Sequence, residues 1–378
     1  GFGMFLFPMV MPEMIEELQL TYTHAGIITS VSQVAPLLTV PLAGYLTYRV
    51  GGLRFIVYCQ IVGAVLLMAL YFVQGFTSLM IVYFIIRGWP IMIWIPLVSI
   101  ATEYIDFKWR ATLFMVASSS GCFFIFIDGV LSSYFLKYYH WRSLWLTVAF
   151  ICLASSIISW IGLKLVNAWD QSLIQENEKK PSNDKLITWM KSRSGIILNL
   201  IFVIIGFSFL SFQMYLAPFL RDELDMGLEM TAVMWSIIGI SGIFGGVGIG
   251  LMTDRFGVRV SLVFVFVMAI VSTILICLPL NPVYILTMAV LFGIASATIY
   301  GLGPAYISKT LDSESAAKAF SIGNIGIIIG SLIGNFVGGW SEGRLGSFWW
   351  FYVSLGVLFL IGAVISLALK SEQKGMLT

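Results

Sequence analysis

Charge is the scarcest property of this 378-residue chain, because Asp, Glu, Lys and Arg make up only 11% of it and there are just two histidines. Soluble globular domains carry about 25% charged residues. A chain with so little charge cannot cover a water-exposed surface, and hydrophobic residues account for 59% of it. The composition therefore predicts an integral membrane protein whose first partner is the lipid bilayer.

Motifs of several chemistries are also missing. The chain has no Walker phosphate loop, no His-Glu-x-x-His helix and no serine nucleophile elbow, so we expect no direct use of ATP, no metal, no cofactor and no enzyme. No basic, aromatic-interleaved patch suggests a nucleic-acid partner. The cysteines fall inside apolar runs and are expected to be small core residues, at positions Cys59, Cys122, Cys152 and Cys277.

Long apolar runs separated by short polar turns fill the chain. Runs above about 18 residues indicate transmembrane helices. Twelve such runs are present, at about 1–20, 24–46, 53–75, 77–103, 111–136, 141–166, 194–219, 230–252, 258–280, 282–308, 317–340 and 347–369. The first run has no basic residue before it, so we expect no cleaved signal peptide and expect part of the first helix to precede Gly1.

The longest polar segment, 167–193, divides the runs six plus six. We therefore predict a bundle over 1–166, a linker over 167–193 with a short helix near 186–190, and a second bundle over 194–378.

The positions of the basic residues predict the orientation in the membrane. If the loop after the second run is cytoplasmic, sixteen of the 21 Lys and Arg residues lie on that side and four on the other. This bias places both termini in the cytoplasm of a prokaryotic cell.

A near-repeat separated by 206 positions links the two halves. Each copy reads Gly, a polar or aromatic residue four positions later, then Arg, Gly and a final Arg. The residues are Gly44, Tyr48, Arg49, Gly51 and Arg54 in the first copy, and Gly250, Asp254, Arg255, Gly257 and Arg259 in the second. A second correspondence joins Arg110 to Lys318, 208 positions apart. Duplicated membrane bundles commonly place a substrate site between the halves.

On these loops the chain resembles the major facilitator superfamily, whose signature is roughly G-x-x-x-D-R-x-G-x-R. The second copy matches it at every position, whereas the first has Tyr48 where the family usually has Asp. The resemblance implies an all-α membrane protein with twelve transmembrane helices in two pseudo-symmetric six-helix bundles. It also implies that both loops form a cytoplasmic gate and that the halves move by alternating access around a central cavity.

Two ionisable residues lie at membrane depth, where each costs at least about 2.5–3.5 kcal/mol if unpaired. Arg87 is ~15 Å and Asp128 ~12 Å from the same face of the membrane, at 1.5 Å per residue, so we predict a salt bridge between them. Three roles are possible. The two residues form a static salt bridge that holds helices 4 and 5 together, or Asp128 takes up a proton and releases Arg87 to bind an anionic substrate. In the third role, Arg87 binds the carboxylate of the substrate without any such switch.

Further side chains are candidates for substrate binding or proton coupling, because the resemblance implies that helices 1, 4, 7 and 10 line the cavity. For each of them, packing or an interhelical hydrogen bond is the simpler alternative. They are Gln33, Trp94, Ser211, Tyr215, Tyr300 and Asn324. Acidic residues near the predicted outer helix ends are interpreted as solvated loop faces, since their spacing lacks a calcium-loop pattern.

We therefore predict a monomeric secondary active transporter of a small organic solute. An organic anion such as a carboxylate is the expected substrate, and protons or exchange are expected to drive its movement. Three alternatives remain: a proton-coupled drug or metabolite exporter, a non-transporting receptor on the same fold, and an intramembrane enzyme. The enzyme would need a catalytic set at membrane depth, and only Arg87 and Asp128 are there.

Overall fold

The computed structural model of the chain describes residues 2–104, 107–165, 188–279, 281–310 and 313–370, and it is helical almost throughout these ranges. We number the main α-helices in chain order. They are α1 Phe2–Glu17, α2 Tyr22–Ser32, α3 Ala35–Val50, α4 Gly52–Ala69, α5 Phe76–Tyr104, α6 Phe107–Tyr138, α7 Trp141–Leu165, α8 Arg193–Ile205, α9 Ser211–Pro218, α10 Leu228–Phe256, α11 Val258–Cys277, α12 Pro282–Thr310, α13 Ser313–Leu345 and α14 Trp349–Leu367. Two π-helical segments, Gly206–Leu210 and Phe219–Glu223, continue α8 and α9.

Ten segments of the described chain are long and apolar enough to cross a membrane. They correspond to ten of the twelve predicted runs, with α8, α9 and both π segments forming one span over Arg193–Glu223. The first run corresponds to α1, which has 16 residues, and the second run to α2 and α3. The multi-pass helical membrane fold is thus confirmed, and the number twelve stays a prediction for those first two spans.

The second span is split because a proline lies within it. Pro36 stands in the first turn of α3, where its missing N–H leaves no hydrogen bond unmade. Pro36 also has no N–H to donate to the carbonyl of Ser32, four residues earlier, which interrupts the helical hydrogen bonds. The helix α2 consequently ends at Ser32, and the N–H of Gln33, its C-cap residue, bonds to the carbonyl of Ser30 at 3.0 Å. This break places the Gln33 side chain inside the bundle, where it is 3% exposed.

Each half repeats the same set of helix neighbours. In the N-terminal half α1 packs on α6, α3 and α4 pack on α5, and α4 packs on α7. In the C-terminal half α8 packs on α13, α10 and α11 pack on α12, and α11 packs on α14. This correspondence confirms two pseudo-symmetric bundles. The linker residues 167–187 lie outside the described ranges, so its boundaries stay a prediction, although residues 188–191 are helical.

The two repeat loops have the same backbone conformation. Gly51 has a φ of 89° and Gly257 a φ of 87°, a left-handed region that glycine reaches without a Cβ clash. Each glycine N–H bonds back to the carbonyl of a threonine four residues earlier, Thr47 at 3.0 Å and Thr253 at 2.9 Å. The repeated glycine is therefore the residue that ends one helix and begins the next within a single position.

The arginines of these loops lie against neighbouring aromatic rings. The guanidinium of Arg49 is 5.0 Å from the ring centre of Tyr45, and that of Arg255 is 5.3 Å from the ring centre of Phe256. The side chains of Tyr48 and Asp254 lie outside what the structure describes. The gate contact that the resemblance implies for Asp254 therefore stays a prediction.

We call the end of the bundle with Gly51 and Gly257 the motif end and the opposite end the closed end. The two halves meet toward the closed end, where α6 crosses α10 and α2 crosses α13. These crossings are so tight that a Cβ added to Gly129 would lie 2.7 Å from the Ala232 carbonyl oxygen, and one on Gly339 would lie 2.4 Å from that of Tyr22. Small residues let helix backbones approach this closely in lipid.

Polar contacts across the halves reinforce these crossings. They are the ion pair Glu13–Arg221 at 2.6 Å, the ion pair Lys137–Glu229 and the hydrogen bond from Tyr22 to Asp222. The interpretation of the acidic residues as solvated loop faces is therefore wrong for Glu13, which is partly buried in its ion pair, whereas Asp222 and Glu229 are exposed and bond across the halves as well. Hydropathy places them at helix ends but carries no information on which opposite helix they meet.

Candidate functional site

Arg87 lies in the interior of the bundle, in the middle of α5, and is 8% exposed. Its Nη2 donates a hydrogen bond to Oε1 of Gln33 at 2.8 Å. A guanidinium has five N–H donors, and within the described ranges this one bond to an amide leaves most of the donors and all of the charge of Arg87 available. Since Gln33 is fixed at the break between α2 and α3, it orients the guanidinium without neutralising it.

Two tyrosines lie within electrostatic range of the Arg87 guanidinium. Tyr83 lies one turn before Arg87 on α5, and its ring stacks on Phe7 of α1 with centroids 4.0 Å apart. Tyr300 belongs to α12 in the other half, and it too lies within electrostatic range of Arg87. The cation therefore lies within electrostatic range of one aromatic side chain from each half, Tyr83 and the half-buried Tyr300.

The predicted salt bridge between Arg87 and Asp128 is wrong. Asp128 is fully buried, and neither of its carboxylate oxygens has a hydrogen-bond partner among the described residues. Its face of α6 contains Gly121 and Phe124, which meet α1, whereas Arg87 turns toward the break in the second span. Equal depth in the membrane was the basis of the prediction, and depth does not fix the direction in which a side chain points.

The candidates on the seventh span are buried against a helix of their own half. Ser211 Oγ donates to Oδ1 of Asn335 at 2.9 Å, and the Tyr215 hydroxyl donates to the Asn335 carbonyl at 2.5 Å. Ser211 and Tyr215 are both fully buried, so in this conformation they bond α13 to α9. Asn324, the candidate on α13, is half-buried nearer the motif end. Roles for these residues in substrate binding stay predictions.

Trp94 lines a cavity of about 750 Å³ that is formed by helices of the N-terminal half alone. Residues of α1, α4, α5, α6 and α7 surround it, and Ile86 beside Arg87 is one of them. Trp94 is thus separated from the partners of Arg87, although both residues lie on α5. In the described part of the chain no group of three His, Cys, Asp or Glu side chains could hold a metal ion.

A known protein family matches this chain of two repeated helical bundles. The model of the Major Facilitator Superfamily matches residues 1–285 and 247–376. The chain belongs to the Major Facilitator Superfamily. The chain is therefore a secondary transporter of this superfamily, and its relatives are transporters rather than enzymes.

Relatives within this superfamily agree over nearly the whole chain. A cis,cis-muconate transport protein of Acinetobacter baylyi is 24% identical over 369 residues, which are 94% of this chain and 88% of the relative. A mutant of the nucleoside transporter NupG has a TM-score of 0.78 at 14% identity, covering 97% of this chain and 96% of that one. An inward-facing, unoccupied bacterial homologue of the human lysosomal transporter Spinster has a TM-score of 0.74 at 15% identity, with coverages of 97% and 93%. These structures show the fold alone.

Sequence reasoning missed two features of the site of this superfamily member. The partner of Arg87 is Gln33, and Pro36 three residues later signals the helix break that puts Gln33 there. Asn335 is the buried acceptor for Ser211, and the sequence does not show which face of its Gly-rich helix meets the seventh span.

Proposed function

We propose that this chain is a secondary active transporter of a small organic anion, with a carboxylate as the substrate class, and that Arg87 binds the anionic group. The observation that carries the proposal is the buried Arg87, which is oriented by a neutral amide rather than cancelled by a carboxylate. A planar guanidinium matches both oxygens of a carboxylate. A buried cation left with free donors is costly unless a ligand completes it.

The surroundings of Arg87 support a substrate with an apolar or aromatic body. Tyr83 and Tyr300 come from opposite halves and both lie within electrostatic range of Arg87, so a ligand on Arg87 would lie close to both bundles. A ligand can shift an alternating-access equilibrium only if it interacts differently with the two states. The 24% identical relative transports muconate, an organic anion, which is consistent with the same substrate class.

The charge bias of the loops gives the orientation that we propose for the protein in the membrane. With the motif end in the cytoplasm of a prokaryotic cell, both termini are cytoplasmic and the closed end faces outward. The conformation described here is then the one that is shut on the outside. We propose coupling to protons or to exchange of a second anion, in a transporter that works as a monomer.

Thermal-shift measurements on the purified protein test the substrate class. The panel contains aliphatic and aromatic carboxylates, sulfonates, amino acids and cationic drugs. We expect carboxylates to stabilise the wild type, Arg87→Gln to abolish that stabilisation, and Arg87→Lys to weaken it because lysine lacks the planar fork. Lys164→Gln is the matched control, since this lysine lies in the last turn of α7 over the Trp160 ring, far from Arg87.

Flux of the stabilising carboxylate into liposomes then separates the alternatives. Uptake that disappears in Arg87→Gln and persists in Lys164→Gln supports the proposal. Stabilisation by cationic drugs with no dependence on Arg87 would replace it with a drug exporter. Binding that depends on Arg87 without any flux would point to a receptor.

A further inference from the structure

Asp128 has no part in the anion site, yet it is the most confined carboxyl group of the described chain. It is fully buried, and both of its oxygens lack a hydrogen-bond partner among the described residues. We propose that Asp128 is a proton-binding site, and that the protonated form belongs to the conformation in which the closed end is shut.

The position of Asp128 connects it to the contact between the halves. Its neighbour Gly129 packs on α10, where an added Cβ would lie 2.3 Å from the Ser236 Oγ and 2.7 Å from the Ala232 carbonyl oxygen. The adjacent face of α6 packs on α1, since Gly121 lies against the Phe5 ring and Phe124 against the Phe2 ring. Asp128 follows Phe124 by four residues and therefore shares the α1 face.

No charge in the described part of the chain compensates a carboxylate at this point. Among the ionisable groups on α1, α5, α6, α7 and α10, the described ones have other partners or show no bond to Asp128. Glu13 pairs with Arg221, Glu17 with Arg142, Lys137 with Glu229 and Arg87 with Gln33. Lys164 and Arg255 lie over aromatic rings toward the motif end, and Glu16 is exposed at the end of α1.

Burial of an ionised carboxyl group without a partner is strongly unfavourable. The proton removes this penalty while α6 remains packed on α1 and α10. When α6 and α10 separate at the closed end, water reaches the carboxyl group, which then releases its proton to that water as it ionises. Rising pH therefore favours the conformation with the closed end open. This inference rests on the proposed alternation between two states and not on the identity of the substrate.

Infrared spectroscopy of the purified protein in liposomes detects the proton directly. We expect the wild type to show the C=O stretching band of a buried carboxylic acid, and this band to disappear as the pH rises. Asp128→Asn should lack the band at every pH. The control Glu229→Gln removes an exposed carboxylate from the adjoining helix pair and should keep it. If Asp128→Asn does not fold, Asp128→Ser supplies a smaller neutral side chain.

Spin-label distances across the closed end provide the second readout. Labels replace Phe72 after α4 and Val283 at the start of α12, which are 68% and 66% exposed and belong to opposite halves. In a background without the native cysteines, we expect the distance to lengthen with pH in the wild type and to stay short in Asp128→Asn. A band that survives in Asp128→Asn, or an unchanged pH dependence of the distance, would overturn the proposal. Neither readout needs a substrate, so its failure would leave the anion proposal standing.

Discussion

The second and fourth spans cross in both halves of the molecule, but among the described residues only the N-terminal crossing contains a charged side chain at membrane depth. There, Arg87 of α5 reaches Gln33 at the break in the second span. In the C-terminal half, 206 positions later, Gly293 and Gly239 replace them. A Cβ added to Gly293 would lie 2.5 Å from the carbonyl oxygen of Ile238, so α12 and α10 touch through their backbones.

The difference shows how a duplicated fold acquires a site on one side. The N-terminal crossing has room for a guanidinium because Pro36 interrupts the helix, whereas Gly242 stands at the equivalent position of the unbroken α10. Close glycine packing leaves no space for a long side chain. One half consequently provides the cation, and the other provides the aromatic Tyr300 within its electrostatic range.

The fifth and eleventh spans repeat this contrast. Asn335 in the C-terminal half accepts a hydrogen bond from Ser211 and contributes to packing. Asp128 in the N-terminal half has only apolar neighbours described on α1 and no partner. Both ionisable residues at membrane depth therefore belong to the N-terminal half of the sequence.

The largest effect is expected from Gly293→Ala, which tests whether the C-terminal crossing depends on backbone contact. The added Cβ would meet the Ser241 Oγ at 2.1 Å and the Ile238 carbonyl at 2.5 Å, and backbone cannot rotate away. Overpacking of this kind costs about 1–3 kcal/mol or more. We expect a clear fall in the thermal unfolding temperature in detergent.

Gly301→Ala is the control for this substitution, because it lies on the same helix and its added Cβ meets no described atom within 4 Å. Alanine is the better helix former by about 0.8–1.0 kcal/mol, so Gly301→Ala should keep or raise the unfolding temperature. Equal stability of the two variants would mean that the C-terminal crossing is looser than the structure has it.

An intermediate effect is expected from Gln33→Glu, which tests whether the N-terminal crossing binds anions through an uncancelled cation. The introduced carboxylate would pair with Arg87 and compete with the ligand. A hydrogen bond to a charged group contributes about 1.5–3 kcal/mol, and 1.4 kcal/mol is tenfold in affinity. We therefore expect carboxylate binding to weaken at least about tenfold, measured by titration calorimetry.

Gln74→Glu adds the same charge at an exposed position of the N-terminal half and serves as the control. It should leave the affinity unchanged. If Gln33→Glu bound carboxylates as tightly as the wild type, Arg87 would not be the anion site, and the contrast between the two crossings would lose its functional meaning.

Most of the fold could be predicted from the sequence because its signals are local. Apolar runs give the spans, and the repeated glycine loops give the duplication, which the matching φ angles of Gly51 and Gly257 confirm. The burial of Arg87 and Asp128 also followed from their place within apolar runs. A membrane offers few alternatives to a helix, so hydropathy alone decides the class of structure.

The pairing of side chains within the site could not be predicted in the same way. Arg87 bonds to Gln33 rather than Asp128, and Trp94 lines a cavity inside one half. Both outcomes depend on the rotation of each helix about its axis, which a stretch apolar on every side does not encode. Only Pro36 offered a local clue, because it marks the helix break.

The smallest effect is expected where the halves meet at the closed end, and it compares two crossings related by the repeat. The α6–α10 crossing ends in the ion pair Lys137–Glu229, whose side chains are 45% and 69% exposed. The α2–α13 crossing is closed by Gly339, whose carbonyl accepts a hydrogen bond from Thr23 at 3.3 Å.

An exposed ion pair contributes little. Lys137→Gln should therefore shift the ratio of open to closed states by less than about fivefold, measured from the distance between spin labels at positions 72 and 283. Gly339→Ala, whose Cβ would lie 2.4 Å from the Tyr22 carbonyl oxygen, should shift it much further. The reverse order would mean that charge rather than helix packing holds the two halves together at this end.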